Sequence, residues 1–508
     1  MTILEATMVG VALTVGISVY ASFRSARGPT SLLAYYWADR TLTQNQSAHL
    51  FTAHSFSLNG LMYHTYLGYT VGIYSTVIQL FWCSSFLILA YHAANVSRLA
   101  TRDTLHGNIA RIYGSRAGAT ASIASLIGFA SLVGWELVVG TKLFGDLLEI
   151  SLTYSIPFSI LVALVAVAYT VRGGLRGNAK ANIAQNIIGF SALVVLFAGV
   201  IYASGGTLPR QESGALNYSK IVKWDFEAAW IILGGVGLLA NAYFSLLWQI
   251  ADMSTWQNIS GLSNSKRDAK WAFIKGACGT LLLPGFVGTI IGMGLSGQTG
   301  ITSNNILNVA VGIVSQYSTL LVLIAVAGLV AAMLSTLDGL FLAAANTLTW
   351  DISHQKQVRA IISKELNNQP LSELEKDDEA KILAISYVVI VCIAVMASII
   401  LSLLNTSIPL FNLLYFIIIG QMSIVPVSVA VMRSTTDGPS TKSGAASVCA
   451  GLFSGFGTFL ICLLFLDNKA AQIVMTWIPV IVTGTAAIVL LVVPRQADQV
   501  SSQGEAPQ

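Results

Sequence analysis

Two adjacent hydroxyls, Ser335 and Thr336, interrupt an otherwise apolar run at 331–351, Ala-Ala-Met-Leu-Ser-Thr-Leu-Asp-Gly-Leu-Phe-Leu-Ala-Ala-Ala-Asn-Thr-Leu-Thr-Trp-Asp. On a helix, Ala332, Ser335 and Thr336 stand at i, i+3 and i+4 and share one face. That face presents two hydroxyl oxygens beside a backbone carbonyl. Neutral oxygens of this kind suit a small hard cation such as Na⁺, by the logic that governs Mg²⁺ and Ca²⁺. The competing reading is that each hydroxyl bonds back onto its own helix. The nearby carboxylate of Asp338 is read as tying helix ends or neighbours together rather than as an ion ligand.

Other polar side chains stand in apolar surroundings. His54, Ser55, Ser57, Asn59, His64 and Thr65 cluster within 45–66, and Gly234, Gly235, Gly237 and Asn241 within 228–250. Polar or glycine-interrupted helices at corresponding places in two halves point to a transporter site, and Ser57 and Asn59 are candidate solute contacts. Tight packing through small residues is the plainer explanation, above all for the glycine-rich segment. Glu136 follows Trp135 midway through 118–147. A carboxylate there costs roughly 2.5–3.5 kcal/mol on insertion scales unless it is paired. Three roles stand open for it: facing a cavity and attracting a cationic or zwitterionic solute, being protonated, or pairing with His54 or His64. Tyr243, Phe244 and Trp248 either wall a pocket or pack. Lys142 is expected to snorkel outward rather than to meet a solute carboxylate. Asp252-Met253-Ser254-Thr255-Trp256-Gln257 suits a structural or gating role at a helix end.

These residues need helices within a membrane to position them. The 508 residues are 55% hydrophobic and 10% charged, with mean hydropathy +0.71, against about 25% charged in soluble domains. No Asp, Glu, Lys or Arg occurs from Thr41 to Asn95, room for two spans at about 20 residues each. Length and periodicity give thirteen candidate spans: 4–23, 45–66, 70–97, 118–147, 153–171, 181–203, 228–250, 272–295, 305–350, 381–403, 407–432, 444–466 and 472–494. With the N-terminus outside, 22 of the 27 basic residues fall on the cytoplasmic side. Arg210, Lys220, Lys223 and Lys469 fall outside, and Lys142 lies within a span. That bias supports an odd number of spans, an outside N-terminus and a cytoplasmic C-terminus in the cell (inner) membrane. Glu5 precedes the first apolar run and Arg24 follows it, the reverse of a signal peptide, so the first helix is expected to be retained. Cys83, Cys278, Cys392, Cys449 and Cys462 are expected to be small core residues; no spacing among them suggests a metal site.

Four stretches in order are similar to motifs of the sodium:solute symporter family. Tyr35-Tyr36-Trp37-Ala38-Asp39-Arg40-Thr41-Leu42 resembles the family's approach to its second span, and Tyr69-Thr70-Val71-Gly72 its Tyr-x-x-Gly. Tyr169-Thr170-Val171-Arg172-Gly173-Gly174-Leu175 with Gln185 resembles a third motif, and 331–351 resembles its Ser-Thr helix. The resemblance covers about residues 30–435. It implies an all-α membrane fold of about 13 helices with a LeuT-type core of two inverted five-helix repeats. In this chain those would be 45–203 and 228–436, the second containing the loop 352–380. Around them lie 1–44 (a first helix and cytoplasmic loop), an extracellular loop 204–227, two helices in 437–494 and a tail 495–508.

The resemblance also implies one sodium site. Its ligands would be the carbonyls of Ala53, Phe56 and Ala332 and the hydroxyls of Ser335 and Thr336. Two departures bear on coupling: an acid found beside the site in some members is Ser55 here, and another, which serves a second sodium ion, is Asn182. One Na⁺ per cycle is therefore expected, and proton coupling remains an alternative. The function expected is import of a small polar solute, such as an amino acid or other carboxylate, with solute contacts drawn from Ser57, Asn59, Glu136, Tyr243 and Phe244. Na⁺, the solute and the lipid bilayer are the expected partners. No enzyme activity, cofactor or nucleic acid is expected, and a monomer is expected to suffice. A symporter-like membrane sensor is the rival from another class. Such sensors continue into an output domain, whereas this sequence runs about 14 residues past its last span. A passive channel fits poorly with interrupted, inverted spans.

Overall fold

A computed structural model describes residues 2–25, 31–204, 235–262, 265–404, 410–434, 440, 442–466 and 468–494. Gly234, Arg27, Arg210, Lys220, Lys223, the loop 205–227 and the tail from 495 lie outside the described residues. Among the described residues the regular structure is helical, with two isolated bridges, Leu42 with Leu262 and Lys442 with Pro494.

Helix α1 (Ile3–Ser25) is followed by the short α2 (Leu32–Trp37), then α3 (Gln44–Ser55) and α4 (Leu58–Val71). Next come α5 (Ser75–Tyr91), α6 (Ala93–Ala100), α7 (Leu105–Tyr113), α8 (Ser115–Leu147) and α9 (Leu152–Ala203). The second half opens with α10 (Gly235–Ala251), α11 (Met253–Ser260), α12 (Lys266–Thr280) and α13 (Gly288–Gly294), the last two joined through a π-helical stretch Leu281–Val287. It continues with α14 (Ile306–Ser315), α15 (Thr319–Asn346), α16 (Gln355–Leu366), α17 (Glu373–Leu404) and α18 (Leu410–Arg433). Helices α19 (Gly444–Phe465), α20 (Asn468–Thr476) and α21 (Ile478–Val492) close the described chain.

Nine described helical stretches are long and apolar enough to cross a membrane. The polar and apolar surfaces are distributed as a lipid solvent requires. Phe453, Leu464, Phe465 and Leu491 are exposed on the outside, while Ser335, Thr336, Asp338, Asn178 and Gln185 are buried. Helix α9 is 52 residues long. Straight, it would measure about 78 Å, more than twice the roughly 30 Å hydrocarbon core. It bends at Gly174, whose φ of 53° and ψ of −155° only glycine adopts readily. The Gly174 backbone also sits so close to Tyr35 that a Cβ would fall 2.6 Å from its carbonyl oxygen.

Three expectations need correction. The run 305–350 is not one span: it divides into α14 and α15, because Gln316, Tyr317 and Ser318 interrupt it and the Ser318 hydroxyl caps the Leu320 N–H. The segment 45–66 is not one helix either; it breaks at Phe56–Ser57 and resumes as α4 to Val71. Nor are all five cysteines core residues: Cys83 and Cys462 are buried, Cys449 is intermediate, and Cys278 and Cys392 are exposed.

Candidate functional site

Two discontinuous spans and one intact helix meet at the centre of the fold. Helix α3 ends at Ser55, and Phe56, with φ −83° and ψ 66°, carries the chain out of the helix. A helix end leaves carbonyl oxygens without N–H partners. The Phe56 N–H still reaches the Thr52 carbonyl at 2.8 Å, but the Ala53 and Phe56 carbonyls turn towards α15. The Ser335 hydroxyl stands 3.2 Å from the Ala53 carbonyl oxygen, 3.5 Å from that of Phe56 and 3.0 Å from that of Ala332. The Thr336 hydroxyl lies 3.2 Å from the Ala332 carbonyl. Ala53, Phe56, Ala332, Ser335 and Thr336 therefore come together, all at most 1% exposed. Bonding back to its own helix accounts for the Thr336 contact. It does not account for the approach of Ser335 to two carbonyls of α3.

Glu136 has a different place from the cavity-facing and His-paired roles considered for it. Its carboxylate accepts the Leu58 N–H at 2.7 Å and the Asn59 N–H at 3.1 Å, and it is fully buried. The Ser57 hydroxyl accepts the next donor, the Gly60 N–H, at 2.8 Å. Together they cap α4 at its buried N-terminus. An acid at a helix N-terminus is also favoured by the helix dipole. The second interrupted span is capped in the same way. Between α10 and α11, Asp252 Oδ1 accepts from the Ser254 N–H at 3.2 Å and Oδ2 from the Thr255 N–H at 3.3 Å. The two breaks touch: His54 Nε2 lies 3.1 Å from the Ser254 hydroxyl and 3.5 Å from Asp252 Oδ2. His54 therefore serves Asp252 and not Glu136.

Asp338 lies one turn beyond the hydroxyl pair. Its Oδ2 is 3.0 Å from the Tyr169 hydroxyl, which also lies 3.1 Å from the Leu334 carbonyl and accepts from Gln185 at 3.2 Å. Asn178 donates to the Asp338 carbonyl at 3.1 Å. This network binds α9 to α15, a neighbour-fixing role.

Beside the five oxygens is a cavity of about 110 Å³. One water needs about 10–15 Å³, so the cavity has room for several waters or one small organic molecule. Ser57, Asn59, Phe244 and Trp248 line it, as do His54 and His64, and Thr336 belongs to both the oxygen cluster and the cavity wall. Glu136 and Tyr243 are not in the lining. The reason is helical geometry, since consecutive residues point about 100° apart. Trp135 faces the cavity and Glu136 faces α4; Phe244 faces the cavity while Tyr243 pairs with Thr483 of α21. Sequence reasoning missed Trp82 and Trp135. Trp82 stacks on Trp248, centroids 5.4 Å apart, and the signal for it was a tryptophan midway in a charge-free segment. Lys142 does turn outward, where it meets Asn304 at 3.2 Å.

No protein-family model matches the sequence, and no curated protein sequence matches it. Solved structures do. A Na⁺-coupled sialic acid symporter in a substrate-bound outward-open state aligns with TM-score 0.70 and 14% identity, over 98% of this chain and 99% of that one. A nucleobase-cation-symport-1 family transporter in a closed conformation aligns with TM-score 0.49 and 12% identity, over 91% and 93% of the two chains. A manganese transporter from Eremococcus coleocola aligns with TM-score 0.46 and 13% identity, over 88% and 94%. The near-complete match to the first of these shows that the chain has the all-α, LeuT-type inverted-repeat fold.

Proposed function

We propose that this chain is a secondary active transporter of the sodium:solute symporter type, importing a small organic solute together with one Na⁺ by alternating access. It works as a monomer in the cell (inner) membrane, N-terminus outside and C-terminus cytoplasmic. The orientation rests on the 22-to-4 bias of basic residues across the connections.

One observation carries the reading. Three carbonyl oxygens surround a single hydroxyl at Ser335 within 3.5 Å. The Ala332 carbonyl is also met by the Thr336 hydroxyl within its own helix, but Ser335 has one proton and cannot satisfy both the Ala53 and the Phe56 carbonyls. Buried acceptors left unpaired are costly, and their partial negative charges repel one another. A monovalent cation among Ala53, Phe56, Ala332, Ser335 and Thr336 satisfies all of them at once. Five neutral oxygens hold Na⁺ without a carboxylate, which suits an ion that must also leave. Na⁺ there ties the broken end of α3 to α15, and it can bias the conformational equilibrium only because one arrangement brings the two together. Thr336 then joins ion and solute, since it reaches both the oxygen cluster and the cavity.

The test is the melting temperature of the purified chain titrated with NaCl against KCl, and solute uptake into proteoliposomes with and without a sodium gradient. Na⁺ is expected to stabilise and K⁺ not. In a Ser335→Ala, Thr336→Ala double variant the half-saturating Na⁺ concentration should rise about tenfold or more. Equal responses to the two salts, or an unchanged half-saturation, would refute the ion assignment; equal uptake without the gradient would refute coupling.

A further inference from the structure

The lining of the central cavity restricts the chemistry of its solute. Among the described residues it contains no Lys, Arg, Asp or Glu. Its walls are largely aromatic. Trp82 and Trp248 stack with 25° between their planes, and Phe244 meets Trp248 edge-on at 5.1 Å. Among the described residues, three of the lining carry buried N–H groups with no acceptor, the indoles of Trp135 and Trp248 and the side-chain amide of Asn59, and His54 Nδ1 is a fourth buried nitrogen without a partner. The neighbouring polar groups are already engaged. Asn59 Oδ1 accepts from Ser57 at 2.7 Å, Asn241 is held by Tyr63 and the Gly237 carbonyl, and Gln79 donates to the Thr280 carbonyl.

A solute carboxylate in such a place would need a cationic side chain or free backbone N–H groups; of the two histidines in the lining, His54 already faces the Asp252 carboxylate through Nε2 and His64 lies against the Ser75 hydroxyl. A helix N-terminus is the usual source of free backbone N–H groups, and α4 begins at this cavity. Its first donors are occupied: Leu58 and Asn59 by Glu136, Gly60 by Ser57. The two oxygens of Glu136 thus stand where those of a solute carboxylate would have to bind.

We infer that the cavity takes an uncharged, planar solute bearing hydrogen-bond acceptors, an aromatic or conjugated amide or heterocycle, in place of the amino acid or other carboxylate expected from the sequence. This rests on the transporter reading above. The flat face of the solute packs on the Trp82 indole alongside Trp248, which already stacks on Trp82. Its acceptors take the N–H groups of Trp135, Trp248 and Asn59, whose unmet hydrogen bonds are otherwise costly.

The test uses matched pairs that differ in charge: nicotinamide and nicotinate, benzamide and benzoate, uracil and orotate, with proline and lactate added. Each is scored by its shift of the melting temperature of the full chain in NaCl. Neutral members are expected to stabilise and their carboxylate partners, proline and lactate not. Trp248→Phe, which keeps a ring and removes the N–H, should weaken the neutral response about tenfold; Trp135→Phe is the second variant should the first fail to fold. Equal or greater stabilisation by carboxylates, or no response to any pair, overturns the inference. The sodium-induced shift without solute reports on the ion cluster alone. If it persists while the neutral probes fail, the solute assignment fails and the sodium reading stands; if it is absent while they bind, the reverse holds.

Discussion

Glu136 gives the most direct test of how the interrupted second span is held. Its carboxylate accepts two backbone N–H groups, at 2.7 and 3.1 Å, in a position with no exposure to solvent. Truncation to alanine leaves both donors buried without a partner. Each such loss costs about 1–3 kcal/mol, so Glu136→Ala should destabilise by roughly 2–6 kcal/mol before any loss of the charge–dipole term, about 0.3–2 kcal/mol. Glu136→Gln keeps one acceptor oxygen and should cost about half as much, roughly 1–3 kcal/mol. The order wild type, Gln, Ala is therefore as informative as the sizes.

The assay is thermal unfolding of the purified chain at a fixed scan rate, since membrane proteins seldom unfold reversibly and the apparent midpoint then depends on rate. It is run first without sodium or solute. A cap lowers the midpoint in that condition, because α4 is present whether or not anything is bound. A side chain that served only to attract a solute would leave the unliganded midpoint unchanged and abolish the solute-induced shift instead. An unchanged unliganded midpoint in Glu136→Ala, or a Gln variant as damaged as the Ala variant, would refute the capping account.

Two further perturbations follow from the packing and from a titrating group in the connection 352–380. A Cβ at Gly292 would lie 1.9 Å from the Thr65 carbonyl oxygen and 2.6 Å from the Tyr69 nitrogen, both backbone atoms; Gly292→Ala should therefore force α4 and α13 apart and cost about 1–3 kcal/mol or more, whereas Gly16→Ala, with nothing within 4 Å, should be neutral or slightly stabilising in the same melt. The N-terminus of α2 is held by two acids, the Leu32 N–H on Glu379 at 2.7 Å and the Leu33 N–H on Glu365 at 3.1 Å. Burial, then the adjacent Glu379 carboxylate, pushes Glu365 up to about 7 from an ordinary 4.5. The folded chain thus binds this proton more tightly than the unfolded chain, so stability should fall as pH rises from about 4.5 to about 7. Asp103, raised to about 6 chiefly by burial, acts in the same direction. The readout is therefore the difference between wild type and Glu365→Gln, whose melting temperature should be flatter across that window; parallel curves would exclude Glu365 as the source.

What the sequence made legible follows from what a membrane imposes. A helix that crosses hydrocarbon must be long and apolar, so run length picked out the long apolar helices without any knowledge of their packing. The i, i+3, i+4 face of Ala332, Ser335 and Thr336 was likewise local and was read from spacing. Its partners were not local: Ala53 and Phe56 came from the register of a family resemblance, because nothing in 45–66 fixes where the helix breaks. The division of 305–350 was written in Gln316, Tyr317 and Ser318, three residues that hydropathy averaging over a long apolar run conceals.

The side chains whose roles were least legible were the buried acids, and the breaks explain why. Each interruption of a spanning helix creates N–H groups that lipid cannot satisfy. The chain meets that need with a carboxylate from elsewhere in the fold at Leu58 and Asn59, and with its own Asp252 at Ser254 and Thr255. The local cap could be read as a helix-end signal. The remote one could not, since Glu136 is 77 residues from Asn59 and only the fold decides which way residue 136 points. A carboxylate at membrane depth in a chain with interrupted spans therefore has two claims on it, a bound cation or solute and an uncapped helix. Here the helix holds both oxygens of Glu136, and the cavity beside it is left lined by indoles, imidazoles, amides and hydroxyls.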